Sequence, residues 1–234
     1  MARPDARLRP LDAWCALQRL FANPDDTAAV FEIIDALPGR SGERAFRRFA
    51  ASPTGQKVLQ AERELLDVLN DREALLALPE GSLGRTYAAF TATEQISADG
   101  LVAASQGDGA RQLDPDPGAQ RFFNRLRDSH DLEHVVSGFG RDLRGEGALL
   151  ALGLAQLWTP GIGLIVGMAW LRGDREERRV IQDGWRRGRR AAWLAGVDWE
   201  ALLPRPLDEV RRRLRLDPPP VYEAARSEGA PALA

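Results

Sequence analysis

An all-α fold, a single-domain multi-helix bundle, is what the sequence predicts. Apolar residues recur at three- and four-residue spacing almost throughout, no stretch keeps the two-residue alternation of a half-buried strand, and Pro and Gly clusters cut the chain into helix-sized pieces. With 234 residues, 44% of them hydrophobic, one well-buried core is expected, near the upper size for a single domain.

The elements follow in order. Met1 to Leu11 carries Arg3, Arg7 and Arg9 with Asp5, and no continuous apolar stretch follows, so no signal peptide is expected. Helical stripes then run through Leu17, Leu20 and Phe21, through Val30, Phe31, Ile34 and Leu37, and through Val58, Leu65, Leu66, Leu69, Leu75 and Leu76, with breaks at Pro38-Gly39, Pro53 and Pro79 to Gly81. Ser82 has the side chain and position of an N-cap for a helix through Tyr87 and Phe90. Ser105 to Gly118 reads as a surface loop rather than a linker, because composition does not change across it, and Asp116-Pro117 opens the next helix, toward Phe122, Phe123 and Leu126. Residues 1–216 thus form one helical domain. The tail 217–234 starts as a polyproline segment and ends small and polar, so it is expected to be only partly ordered.

Composition excludes several functions. A formal net charge of −2 argues against a nucleic-acid binder, which needs a strongly basic surface. Cys15 is the only cysteine, which rules out an intramolecular disulfide or a thiolate zinc cluster within one chain and fits a reducing, cytoplasmic setting. Lys57 is the sole lysine among 32 basic residues, a coding bias that points to a GC-rich, bacterial genome.

The two histidines of the chain lie four residues apart in Ser-His-Asp-Leu-Glu-His, residues 129–134. On a helix, i and i+4 share one face about 5–6 Å apart, close enough for two imidazoles to hold one ion. Asp131 and Glu133 flank that face, and either carboxylate can contribute. On a straight helix, Glu146 would stand about 18 Å from His134. Gly138, Gly140 and Gly145 instead allow the chain to break and return before it, making a further oxygen ligand reasonable. Two nitrogens and one or two carboxylates suit zinc, with iron or manganese as alternatives, and leave a position open for water or substrate. The same residues contain H-x-x-E-H, in which Glu133 would serve as the base of a metallopeptidase. The later glutamate ligand of such proteases normally lies much farther along the chain.

The full spacing, His130-Asp131-x-x-His134, eleven residues, then Glu146, resembles the motif of the ubiquinone (coenzyme Q) biosynthesis protein 4 family. Gly81 to Tyr87 is similar to that family's G-[ST]-L-G-x-x-Y segment, Arg125-Leu126-Arg127 to its R-x-R approach, and Val135 to Gly138 to its continuation after the histidine. Gly188-Arg189, Trp199-Glu200 and Pro206 to Arg211 are similar to its C-terminal elements. The resemblance implies a helical protein whose divalent metal, most simply zinc, is held by His130, Asp131, His134 and Glu146. It also implies peripheral association with the inner, cytoplasmic membrane and participation with other ubiquinone-biosynthesis proteins in making ubiquinone. Two activities are implied: removal of the C1 carboxylate from a polyprenylated hydroxybenzoate, coupled to hydroxylation there, or a non-catalytic lipid-binding scaffold, possible as a homodimer. Arg125 and Arg127 are then the candidates to pair with the substrate carboxylate, since arginine matches it bidentately, and Tyr87 is a weaker polar contact.

No charged residue occurs between Glu146 and Arg172. That length would permit a membrane span, yet Gln156, Thr159-Pro160-Gly161 and Gly163 interrupt its centre, so the expected form is an apolar helical hairpin beside the metal-binding helix, buried or lying against a membrane. A polyprenyl lipid or ubiquinone intermediate would lie along it, with Trp158 as a contact and its ring at the metal. The Arg172–Arg190 stretch, with Trp185 and Trp193, fits either anionic lipid head groups or a solvated helix carrying Glu176–Arg179 and Asp183–Arg187 pairs.

Overall fold

The computed structural model describes residues 7–24, 26–96 and 116–225. Most of the loop expected at 105–118, and the tail from 226, lie outside the described residues. Among the described residues there are fourteen α-helices, one 3₁₀ turn and no strand. Short polar caps start most of them: side chains of Asp26, Ser52, Asp71, Ser82, Asp116, Asp142, Asp174 and Asp198 each accept from a backbone N–H one turn on.

Helices α1 (Pro10–Ala22) and α2 (Thr27–Ala36) pair through Ala16, Leu17, Ala29 and Ile33. Then come α3 (Ser41–Ala50) and α4 (Pro53–Gln60). The apolar stripe from Val58 to Leu76 is divided more finely than its spacing predicts, because α5 (Leu65–Asn70) and α6 (Arg72–Leu76) each have their own start. Glu64 N–H donates to Asp67 at 2.8 Å, and the Asp71 side chain accepts from Ala74 N. Helix α7 (Leu83–Thr93) begins at Ser82 as expected. Its entry, with Gly81 at φ +72°, is tied to a distant segment: Leu83 N–H donates to Arg205 O, Gly84 N–H to Leu203 O and Leu207 N–H to Gly81 O.

Helix α8 (Pro117–Asp128) is followed, after Ser129, by α9 (His130–Ser137), then α10 (Leu143–Gln156), α11 (Pro160–Arg172) and α12 (Arg175–Arg190). The 3₁₀ turn Leu194–Gly196, α13 (Trp199–Leu202) and α14 (Leu207–Leu214) complete the order. The main core joins Tyr87, Leu132, Val136, Phe139, Leu149, Leu152, Val180, Trp199, Val210 and Leu216. The uncharged stretch is indeed a helical hairpin, α10 and α11, and no helix among the described residues is long and apolar enough to cross a membrane. Gln156, the polar residue in its middle, has a use: its amide donates to Gly188 O and Ala192 O and accepts from Leu194 N–H, so it caps the end of α12.

The arginine-rich stretch is α12, and the expected Glu176–Arg179 and Asp183–Arg187 pairs both form. Its inner seam is Val180, Ile181, Gly184 and Gly188. A β-carbon on Gly184 would stand 2.1 Å from the Ala148 carbonyl oxygen and one on Gly188 2.3 Å from that of Leu152, so α10 and α12 touch backbone to backbone. Gly184→Ala and Gly188→Ala are each expected to lower stability by about 1–3 kcal/mol in denaturant titrations, as overpacking does. Gly153→Ala, on the open side of α10 with no atom near its β-position, should instead stabilise by roughly 0.5–1 kcal/mol. Similar losses at all three positions would contradict the close approach.

Candidate metal centre

Helix α9 ends where Gly138 enters the left-handed region, at φ +78°. Four residues later Asp142 caps α10, and Glu146 emerges in its first turn, facing back toward α9. His130 and His134, one turn apart, have ring centroids separated by 4.8 Å and nearly perpendicular rings. Glu146 Oε1 is 3.3 Å from His134 Nε2, and its Oε2 is 3.7 Å from His130 Nε2. One donor atom from each of the three lies within 4.8 Å of the others, a spread that a single ion can bridge.

His134 makes the chemistry specific. Its side chain is fully buried, and Nδ1 is 2.9 Å from Phe139 O, a carbonyl that can only accept. The hydrogen-bond network therefore puts a proton on Nδ1 and turns Nε2 toward the Glu146 carboxylate. No hydrogen bond satisfies Nε2. A buried Nε2 facing a carboxylate fits a cation between them, a proton or a metal ion, and the imidazole orientation set from its far nitrogen is the one metal-binding histidines use. Phe90 stacks on the ring at 6.0 Å and walls it from that side.

Asp131, the fourth residue of the motif, is buried, but its carboxylate stands beside the other nitrogen of His130, with Oδ1 3.5 Å from Nδ1, and is not in the three-residue donor group. Burial opposes charge on His130, but Asp131, Glu146 and Glu133 outweigh it and raise the imidazole to about 9. Burial likewise opposes charge on Glu146, yet His134, His130 and Arg141 lower its carboxyl to about 2. Glu133, pushed up to about 7 by burial, accepts from Ser129 Oγ at 3.3 Å and also lies outside the donor group.

The remaining site candidates are placed elsewhere. The Arg125 guanidinium is buried, with two 2.6 Å bonds to Glu200 and a third to Val197 O; it braces α8 against α13. Arg127 pairs with buried Asp128 at 2.8 Å. Neither arginine has the open guanidinium that a substrate contact needs. Tyr87 is packed in the core, where burial and the Asp131 and Asp128 carboxylates hold its phenol above its ordinary range. Trp158 is 64% exposed and stands edge-on to Trp185 at 6.0 Å, at the mouth of an apolar groove of about 610 Å³ between α10, α11 and α12. Trp170, Gly163, Gly167 and Arg186 also line it, but none of the metal-donor residues does, so the expected apolar wall beside the ion is displaced along the hairpin. Residues that the sequence did not single out include Phe139, Asp142, Arg141 and Tyr222. Of these, only Asp142, a capping residue just ahead of a helical run, carried a local signal.

The sequence profile of Coenzyme Q (ubiquinone) biosynthesis protein Coq4 matches residues 16–220. The chain belongs to this family. The mitochondrial ubiquinone biosynthesis protein COQ4 of Zygosaccharomyces rouxii is 30% identical over 180 residues, which cover 75% of this chain and 52% of that protein. The corresponding protein of Talaromyces stipitatus is 31% identical over 174 residues, covering 73% and 58%. The chain thus spans little more than half the length of these curated relatives. A crystal structure of a protein from Nostoc punctiforme superposes with a TM-score of 0.62 over 90% of this chain and 100% of that one, at 22% identity, a likeness of fold alone. All four positions of the Coq4-type motif fall within the matched residues.

Two outcomes follow. In metal-free protein, the stability that His130 contributes is complete below pH 6.5 and lost as pH rises through about 9, whereas that from Glu146 is complete above pH 4.5 and lost toward pH 2. The Tm difference between wild type and His130→Gln should therefore shrink from pH 6.5 to 9; a flat difference would exclude the charged pair. Glu200→Gln should cost roughly 2–3 kcal/mol, less than a fully buried pair because Glu200 keeps some solvent, while metal affinity stays within about twofold.

Proposed function

We propose that this chain works in ubiquinone synthesis with a divalent ion, zinc before iron or manganese, held by His130, His134 and Glu146, with Asp131 as a further ligand or as the carboxylate that orients His130. The observation that carries this is the buried, unpartnered Nε2 of His134 turned toward an ionised Glu146. The substrate class is a polyprenylated hydroxybenzoate, and the reaction exchanges the C1 carboxylate for hydroxyl. Carbon dioxide leaves, and the two-electron oxidation draws on an external oxidant of the dioxygen class.

When bound, the ion supplies Lewis acidity toward a ring carboxylate or phenolate. The chain's residues prepare the site for it. Phe139 O orients the His134 imidazole, Glu146 stays ionised to low pH, and Arg141 Nε, 3.7 Å from Glu146 Oε1, adds positive charge beside that carboxylate. Phe90 and the buried face of α9 keep water from His134.

The groove lined by Trp158, Trp170 and Trp185 supports a second reading, a lipid-binding scaffold, because it can take an apolar tail without any metal-donor residue. Its exposed Trp158, with Trp170 and Arg186 also lining it, suits peripheral contact with the cytoplasmic membrane, where the other ubiquinone-biosynthesis proteins and a second copy of the chain are the natural partners. Family membership leaves the H-x-x-E-H peptidase reading without support.

Elemental analysis and mass spectrometry of extracted lipid on purified protein should find near-stoichiometric metal and an isoprenoid. The His130→Ala/His134→Ala variant should lose the metal and keep the lipid. Supplied with a prenylated hydroxybenzoate and dioxygen, loaded wild type should release carbon dioxide and His134→Ala should not. Lipid retained with no release from wild type would leave the scaffold.

A further inference from the structure

Between α9 and α10 the loop 138–142 has two tasks. It presents Phe139 O to His134, and it launches α10 at the angle that returns Glu146 to the histidines. With glycine at 138 and 140, such a loop does not fix its own shape. The C-terminal segment 217–225 lies directly on it. Tyr222 Oη accepts from Gly140 N–H at 2.8 Å and donates to Asp142 Oδ2 at 2.6 Å, joining the middle of the loop to its end. Asp142 Oδ1 caps α10 through Arg144 N–H and Gly145 N–H and also accepts from Ala225 N–H at 3.0 Å, while Leu143 N–H donates to Ala225 O at 2.7 Å. Pro219 packs so closely on Gly138 that a β-carbon there would lie 2.8 Å from its side chain. The Tyr222 ring faces Phe139 at 6.0 Å.

Tyr222 packs against the main core, while its neighbour Val221 is 90% exposed. Polar contacts secure the rest. Arg187 donates to Pro218 O, Arg144 to Glu223 O and Arg179 to Val221 O. Burial and the Asp142 carboxylate push the Tyr222 phenol up, so its proton stays available for the bond.

We propose that the segment 217–225 is a working part of the metal centre, a strap whose Tyr222 is a positioning residue that sets Phe139 O and Glu146 through Gly140 and Asp142. The inference rests on the metal reading above and adds to it a residue that touches neither ion nor substrate. Loss of the tyrosine hydroxyl frees the loop, so the donors keep their identity and lose their geometry.

The test compares three full-length chains: wild type, Tyr222→Phe and Arg179→Ala. The last removes a strap contact away from the loop. Cobalt(II) serves as probe, read by equilibrium affinity and by its visible absorption bands, alongside the Tm of metal-free protein and the NMR signal of the His134 ring Nδ1–H. Tyr222→Phe should weaken cobalt binding about 10–100-fold, as loss of an orienting partner does. It should also change the absorption bands and move the His134 ring signal even without metal. Arg179→Ala should stay within about twofold of wild type with unaltered bands. Unchanged affinity and bands in Tyr222→Phe, or losses in both variants that track Tm alone, would overturn the proposal. Should wild type take up no cobalt, the metal reading fails by itself. The strap is then judged on the His134 ring signal, and a signal indifferent to Tyr222→Phe overturns it as well.

Discussion

The geometry of the site depends on one reversal of the chain. His134 and Glu146 are separated by twelve positions, a distance that a continuous helix would stretch to about 18 Å. Gly138 adopts a left-handed conformation that costs residues with a β-carbon about 1 kcal/mol or more, and Asp142 restarts the helix within one short loop. Glu146 thereby becomes a neighbour of both histidines. The same turn places Phe139 O where His134 Nδ1 can donate to it, so the loop that brings in the carboxylate also orients the imidazole.

A reversal of this kind is useful only if the returning helix cannot slide. Helix α10 is held by the glycine seam of α12, where Gly184 and Gly188 let the carbonyls of Ala148 and Leu152 approach, and by the Gln156 amide that ties its far end to the segment after α12. Packed backbones tolerate little translation. Glu146 is accordingly fixed along the axis by contacts made farther along its own helix.

Much of this was legible in the sequence, and the rest failed for identifiable reasons. The cap at Ser82, the start at Asp116-Pro117 and the hairpin broken near Thr159 are local signals, and local signals survive into the fold. The histidine pair and Glu146 were legible because four-residue spacing and the intervening glycines translate directly into geometry. The short helices at 65–76 were not, since their starts depend on Glu64, Asp67 and Asp71, whose capping bonds interrupt an otherwise uniform apolar stripe. Nearness in sequence to a ligand does not say which way a long side chain points, and Arg125 and Arg127 both turn to carboxylates of the chain itself. In α12 the number of arginines masked the glycine seam beneath them.

Gly140 and Tyr222 are 82 residues apart. During vectorial synthesis at about 5–20 residues per second, roughly 4–16 s pass between the appearance of one and the other. For that interval the nascent chain carries two histidines and a glutamate with nothing to enforce their arrangement, and such an open nitrogen-oxygen chelate follows the general order of divalent affinities, in which copper outranks zinc. On the proposed reading, geometric discrimination begins only when the strap arrives. An ion held there would therefore reflect the cell's free-metal pools at that late moment rather than those met during synthesis.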